Sequence, residues 1–191
     1  MHLLFRTLLR VLFFARRGSR LGLHDVARAR FVTLPTDLDV NRHMNNGVFL
    51  SIMDLARMDQ FVRTGIFDLM RSRGWSPVVA SETIAFRKPL GAWRRFTIET
   101  RLVGHDEKVM VFEQRFVRPS RDGGPEIYAR AFVRKLLVRR TGGAVRFAEL
   151  VDALGIDPAE ADERRPPEWV ERWGEEVALP PRRSEAPSTW E

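Results

Sequence analysis

Residues 47–65, GVFLSIMDLARMDQFVRTG, constrain this chain more than any other stretch. They place Val48, Phe49, Ile52, Met53, Leu55, Ala56, Met58, Phe61 and Val62 in a run without proline, and Gly65 stands where a helix would be capped. A helix apolar on most of its faces has little surface to offer water and has to be enclosed. Asp54 and Arg57, three apart on it, are spaced to pair. The enclosing surface is written downstream. After a connector through RSRGWSP, the runs VVASETIAFRKPL, WRRFTIETRLVG, KVMVFEQRFVRP and EIYARAFVRKLLVRR alternate apolar and polar residues, separated by GAW, GHDE and SRDGGP. They predict an antiparallel meander with one wet, arginine-bearing face and one apolar face. With ARARFVTLP (27–35) as a first strand, the expected class is α+β, a long antiparallel sheet around a central helix. A short amphipathic helix follows at RFAELVDALG (146–155), and the proline- and charge-rich remainder reads as a surface-wrapping or partly disordered extension.

A chain of 191 residues suits one domain of this kind. Its net charge of +7 comes from scattered arginine, which favours anionic ligands or membrane surfaces. No zinc-finger spacing, RNP-like signature or helix-turn-helix pattern accompanies that charge, so no nucleic-acid partner is expected. Cysteine is absent, which excludes disulfides, thiolate metal sites and cysteine nucleophiles and allows a reducing, cytoplasmic location. The four histidines lie apart with no HExxH pair, so no metal and no cofactor are expected. The opening MHLLFRTLLRVLFFARRGSRL is too short and too interrupted by arginine to span a bilayer, and its apolar run lacks a small-residue cleavage site. Arg6, Arg10 and Arg17 fall on one narrow helical face, which predicts a peripheral membrane contact or a groove-docked helix through residues 1–17. The expected organisation is therefore 1–22, 23–155 and 156–191.

Just before the buried helix stands DLDVNRHMNNG, Asp37 to Gly47. A helix N-terminus presents uncommitted N–H donors and about half a positive charge, so it can stabilise an oxyanion. A carboxylate beside it can attack, or can deprotonate water. Asp39 is the candidate acid, His43 a candidate proton carrier or positioning group, and Asp37 a turn residue. The competing reading of Asn45 and Asn46 is plain N-capping. No G-x-S-x-G elbow, P-loop or dinucleotide fingerprint is present. Arg87 and Lys88, in FRKPL, are candidates for binding phosphates.

In that order of strand, polar loop, buried helix and four long strands, the motif D-x-N-x-H-M-N-N resembles the hotdog-fold thioesterases of the 4-hydroxybenzoyl-CoA thioesterase type. It is similar to the D-x-N-x-H-V-N-N motif of plant acyl-acyl-carrier-protein thioesterases, and MDLAR matches an acidic-x-Ala-Arg pattern on their central helix. A closer resemblance is to thioesterase-superfamily proteins with an apolar N-terminal segment before an HMNN loop. The similarity covers about residues 27–140. It implies a hotdog fold and hydrolysis of an acyl thioester, of coenzyme A or of an acyl-carrier protein, in a homodimer or dimer of dimers with sites between subunits. It further implies Asp39 as nucleophile or base, Asn41 and His43 in catalytic or positioning roles, and backbone N–H groups of Asn46 and Gly47 on the carbonyl. Asp54 is implied as a helix acid near the position other branches use. Many acyl-CoA-acting relatives place tyrosine or histidine where this chain has Asn46 and Phe49, a departure that bears on aryl-CoA specificity more than on the reaction, and the plant enzymes' second cluster of acid and cysteine is missing. A slow acyl-binding or scaffold protein at a membrane is the main alternative. A hydratase ranks lower, because its D-x-N-P-x-H proline is absent.

Overall fold

Strand β1, Ala27–Val32, alternates buried alanines with exposed arginines until Phe31 and then gives way to a 3-10 turn at Pro35–Asp37. The computed structural model describes residues 18–162, 164–180 and 184–188; the amphipathic helix expected over residues 1–17 lies outside the described residues. Helix α1, Asn46–Arg63, starts one residue before the expected Gly47. Asn45 caps it with its side chain, and Gly65, at φ 83°, sits just past its end in the left-handed region that favours glycine. Phe49, Ile52, Met53, Ala56 and Phe61 are buried.

Part of the expected connector is helical. Helix α2, Ile66–Arg73, buries Ile66 and Met70 and stops at the left-handed Gly74. Eight residues are too few for their period to stand out from the neighbouring helix. Strands β2 (Trp75–Phe86), β3 (Arg95–His105), β4 (Val109–Pro119) and β5 (Pro125–Arg139) complete a five-stranded antiparallel sheet in the order β1-β3-β4-β5-β2. Only β3, β4 and β5 form a meander, because β2 pairs with β5 rather than with β3. The reason lies in residues 87–94. Arg87 and Lys88 N–H both donate to Tyr128 O, Leu90 is fully buried, and Leu90 O accepts Met44 N–H at 2.8 Å. That path crosses the end of the sheet instead of turning back. Pro77 is tolerated because β2 is an edge strand.

On the inner face Ala29, Phe96, Ile98, Phe116, Ala129 and Val133 pack on α1. On the outer face Arg28 pairs with Glu99, and Glu113 takes both Arg115 and Arg130. This is the expected division into an apolar and a wet face. Helix α3, Phe147–Leu154, closes the far end of the core with Phe147, Leu150 and Val151, followed by the single turn α4, Pro158–Ala161. Helix α5, Glu168–Glu176, lies on the outer face, where Val170 packs on Val111 and Phe132. The sheet wrapped on a central helix is a hotdog fold.

Candidate active site

The loop between β1 and α1 is held largely by its own backbone. Asp37 is fully buried; its carboxylate accepts Leu34 N–H and its carbonyl accepts Asn45 N–H, each at 2.8 Å. Asp37 is thus a structural turn residue. Asp39 N–H donates to His43 O at 2.8 Å, while Asp39 Oδ1 accepts the N–H groups of Asn41 at 2.9 Å and His43 at 3.3 Å. This small closed turn explains why a loop so rich in short polar side chains keeps a defined shape. Arg42 at its tip has φ 60°. The side chains of Asn41 and His43 are exposed, and the loop uses their backbone rather than their functional groups.

At the start of α1 the cap reduces the set of donors. Asn45 Oδ1 accepts Gly47 N–H at 2.8 Å, so the two amides expected to polarise a carbonyl are not equivalent. Asn46, the first helical residue, keeps an N–H that no described residue accepts, whereas the Gly47 donor is committed to the cap. A Cβ at Gly47 would stand 3.3 Å from that same oxygen, which makes glycine the residue that fits most easily under the cap.

Asp54 is not brought to this loop. Eight residues separate it from Asn46, about 12 Å along the helix axis. It pairs with Arg57, as the spacing predicts, and also with Lys135 at 3.4 Å, while Glu82 lies 4.0 Å from Arg57. Arg57 is 1% exposed and bonds Gln114 Oε1; Gln114 Nε2 in turn donates to Met53 O and Thr100 Oγ1. Burial raises the Asp54 carboxyl pKa, but the Arg57 and Lys135 cations outweigh it and hold the group below the ordinary carboxylate range. For Lys135, burial and repulsion from Arg57 lower the ammonium below its usual range against the pull of Asp54 and Glu82. Thr100, Gln114, Lys135 and Glu82 were absent from the sequence-based site. The alternation did carry a signal, since Gln114 and Lys135 fall on the same parity as Phe112, Phe116, Val133 and Leu137, the apolar side of their strands.

Arg87 and Lys88 share one acceptor, Glu126 Oε1, at 3.0 and 2.6 Å. Hydrogen bonds from Lys88 and Arg87 draw the Glu126 carboxyl down, so both cations are partly neutralised. Arg87 also lines a groove of about 520 Å³ with Phe86, Ile127 and Arg130. Phe86 connects this groove to the first turns of α1 through an edge-on contact with Phe49, ring centres 5.0 Å apart. A larger cavity, about 670 Å³, lies at the opposite end of the sheet beneath His105, Phe147 and Val151, and none of the expected site residues lines it. Among the described residues no group of three or more histidines and carboxylates is placed to hold a metal ion, and no helix is long and apolar enough to cross a membrane.

Comparison with known proteins agrees with this architecture. The chain is 46% identical over 86 residues to Protein THEM6 of Xenopus laevis, covering 45% of this chain and 42% of that protein. It is 26% identical over 144 residues to Protein THEM6 of Drosophila melanogaster, covering 75% and 69%. The match therefore spans about two fifths of the Xenopus relative's length. Among solved structures, the probable thioesterase YbaW from Escherichia coli has a TM-score of 0.60 at 23% identity, covering 67% of this chain and 96% of that one. The 4-hydroxybenzoyl CoA thioesterase from Pseudomonas sp. strain CBS-3 has a TM-score of 0.59 at 16% identity, covering 67% and 98%. These structural likenesses concern the fold. The profile of the thioesterase-like superfamily matches residues 33–174, from the loop that carries Asp39 to the helix on the outer face, and the chain belongs to that superfamily.

Proposed function

We propose that the protein hydrolyses an acyl thioester, with Asp39 as the acid that handles the attacking water and the N-terminus of α1 as the site that receives the carbonyl. The observation that carries this reading is the uncommitted Asn46 N–H on the first turn of a buried helix, fed by a loop whose carboxylate is locked by two backbone donors. A helix dipole and a fixed donor stabilise the charge that forms on the carbonyl oxygen; one such donor is worth on the order of 3 kcal/mol. Water adds to the carbonyl carbon as its proton passes to the Asp39 carboxylate. The C–S bond then breaks, the sulfur takes that proton, and a carboxylic acid and a thiol leave. Asn45, by capping Gly47, orients the turn, and Asn41 and His43 line its open side. Asp54 serves this chemistry poorly in its own chain, being two helical turns away and matched by two cations.

The superfamily supports the thioester class, and the Phe86 groove beside α1 supports an acyl or pantetheine arm on either coenzyme A or a carrier protein. Arg87 and Lys88 would contact phosphate after exchanging Glu126 for it. A homodimer fits the outer edge of β2, which no described strand pairs.

The test is thiol release from short, medium, long and aromatic acyl-CoAs. Asp39→Asn keeps an oxygen to accept the two loop N–H groups, so its melting temperature should match wild type while turnover falls at least about a hundredfold. Asp54→Asn should retain most of the activity. Loss with Asp54→Asn alone would move the chemistry to the helix. A folded wild type that cleaves none of the panel would favour a carrier-protein substrate or the binding role.

A further inference from the structure

At the loop end of the sheet two large apolar side chains point into water. Val40 is 97% exposed at the tip of the Asp39 turn, and Trp93 is 67% exposed in the segment before β3. Their segments adjoin: Met44 N–H donates to Leu90 O, Trp93 N–H to Thr33 O, and a Cβ at Gly91 would lie 3.9 Å from Arg42 O. Trp93 and Arg42, both at φ 60°, are the two non-glycine residues with positive φ among those described. For a bulky tryptophan that conformation is an outlier, maintained here with the indole turned outward. Arg42, Arg94 and Arg95 are exposed around the pair and form no ion pair with a described residue. Asp39, the one carboxylate in the turn's tip, is already engaged by backbone N–H groups.

We propose that Val40 and Trp93 insert into the interfacial layer of an anionic lipid membrane, with Arg42, Arg94 and Arg95 on the headgroups. The chemistry matches such a surface point by point. An indole prefers the boundary between headgroup and acyl chain, a protruding valine gains by leaving water, and unpaired guanidinium groups are attracted to anionic lipid. The surface projects rather than receding. The cavities beneath Phe147, beside Phe86 and beside Glu113 are lined by residues other than Val40 and Trp93. The net charge of +7 adds long-range attraction of the same sign. Docking here is independent of thioester hydrolysis and distinct from any contact made by residues 1–17. It would bring the mouth of the Asp39 loop against the lipid.

The experiment is co-sedimentation of the full chain with phosphatidylcholine vesicles, with and without phosphatidylserine, together with tryptophan emission and light scattering. Wild type should bind the phosphatidylserine vesicles with a blue-shifted emission that Trp93→Phe removes. Val40→Ser combined with Trp93→Asn, the latter chosen because asparagine accepts positive φ, should weaken binding at least about tenfold with an unchanged melting temperature. Arg94→Glu with Arg95→Glu should abolish the preference for phosphatidylserine. The proposal is overturned if wild type ignores both vesicles, or if it binds equally with and without these substitutions, which places binding elsewhere in the chain. It is also overturned if Val40→Ser with Trp93→Asn changes the oligomeric state, which makes this face a contact between copies.

Discussion

Asp54 shows how far the charge of one residue depends on its neighbours. Its side chain is 57% exposed, yet Arg57 and Lys135 keep its pKa below the ordinary 3.8. Because folding lowers the pKa, ionised Asp54 stabilises the fold at pH above 3.8, and that contribution is lost as pH falls through the lower folded value. Thermal melts across pH should therefore show Asp54→Asn less stable than wild type near neutrality, with the gap closing in acid. A gap that stays constant with pH would mean that the charge is not what stabilises. The Asp54–Arg57 pair was legible from spacing alone. The partnership with Lys135 was not, since it joins residues 81 positions apart. Likewise the cap on Gly47 N–H was open to two readings in the sequence, because asparagine serves equally as a cap and as a polar site residue.

Between elements, the same cluster ties α1 to β4 and β5, and its two cations should behave differently. Arg57 donates to Gln114 Oε1 and is the nearer partner of Asp54, so Arg57→Leu removes the donor from a buried amide oxygen and should cost about 3 kcal/mol. Burial and Arg57 disfavour the Lys135 ammonium, while Asp54 still has Arg57 when Lys135 is removed. Lys135→Met should therefore leave stability unchanged or raise it by about 1 kcal/mol. Urea denaturation of both variants measures the difference. Equal losses would show that the cluster acts as one unit. Helix α1 and the strands were readable as elements because each repeats its own period over many residues. Helix α2 was not, because eight residues of it follow α1 directly at Gly65.

Across the whole molecule, the C-terminal segment is seated on the sheet by glycines. A Cβ on Gly104 of β3 would lie 2.2 Å from Pro166 Cδ and 2.6 Å from Pro166 N, and one on Gly174 of α5 would meet the Arg134 side chain. Gly104→Ala should displace the segment around Pro166, lowering stability by about 1–3 kcal/mol and opening residues 164–176 to limited proteolysis. An unchanged melt and digest would show that this contact contributes little. The sequence by itself determined that a nearly all-apolar helix must be enclosed, that alternating strands with one arginine-rich face would enclose it, and that a capped polar loop leads into it. These are local matters of period, cap and turn chemistry. Only the tertiary structure decided that β2 pairs with β5 and not β3, that Lys135 joins Arg57 at Asp54, and that the segments carrying the exposed Val40 and Trp93 adjoin. Each of those depends on which distant segments the chain's path brings side by side, and no local pattern encodes that path.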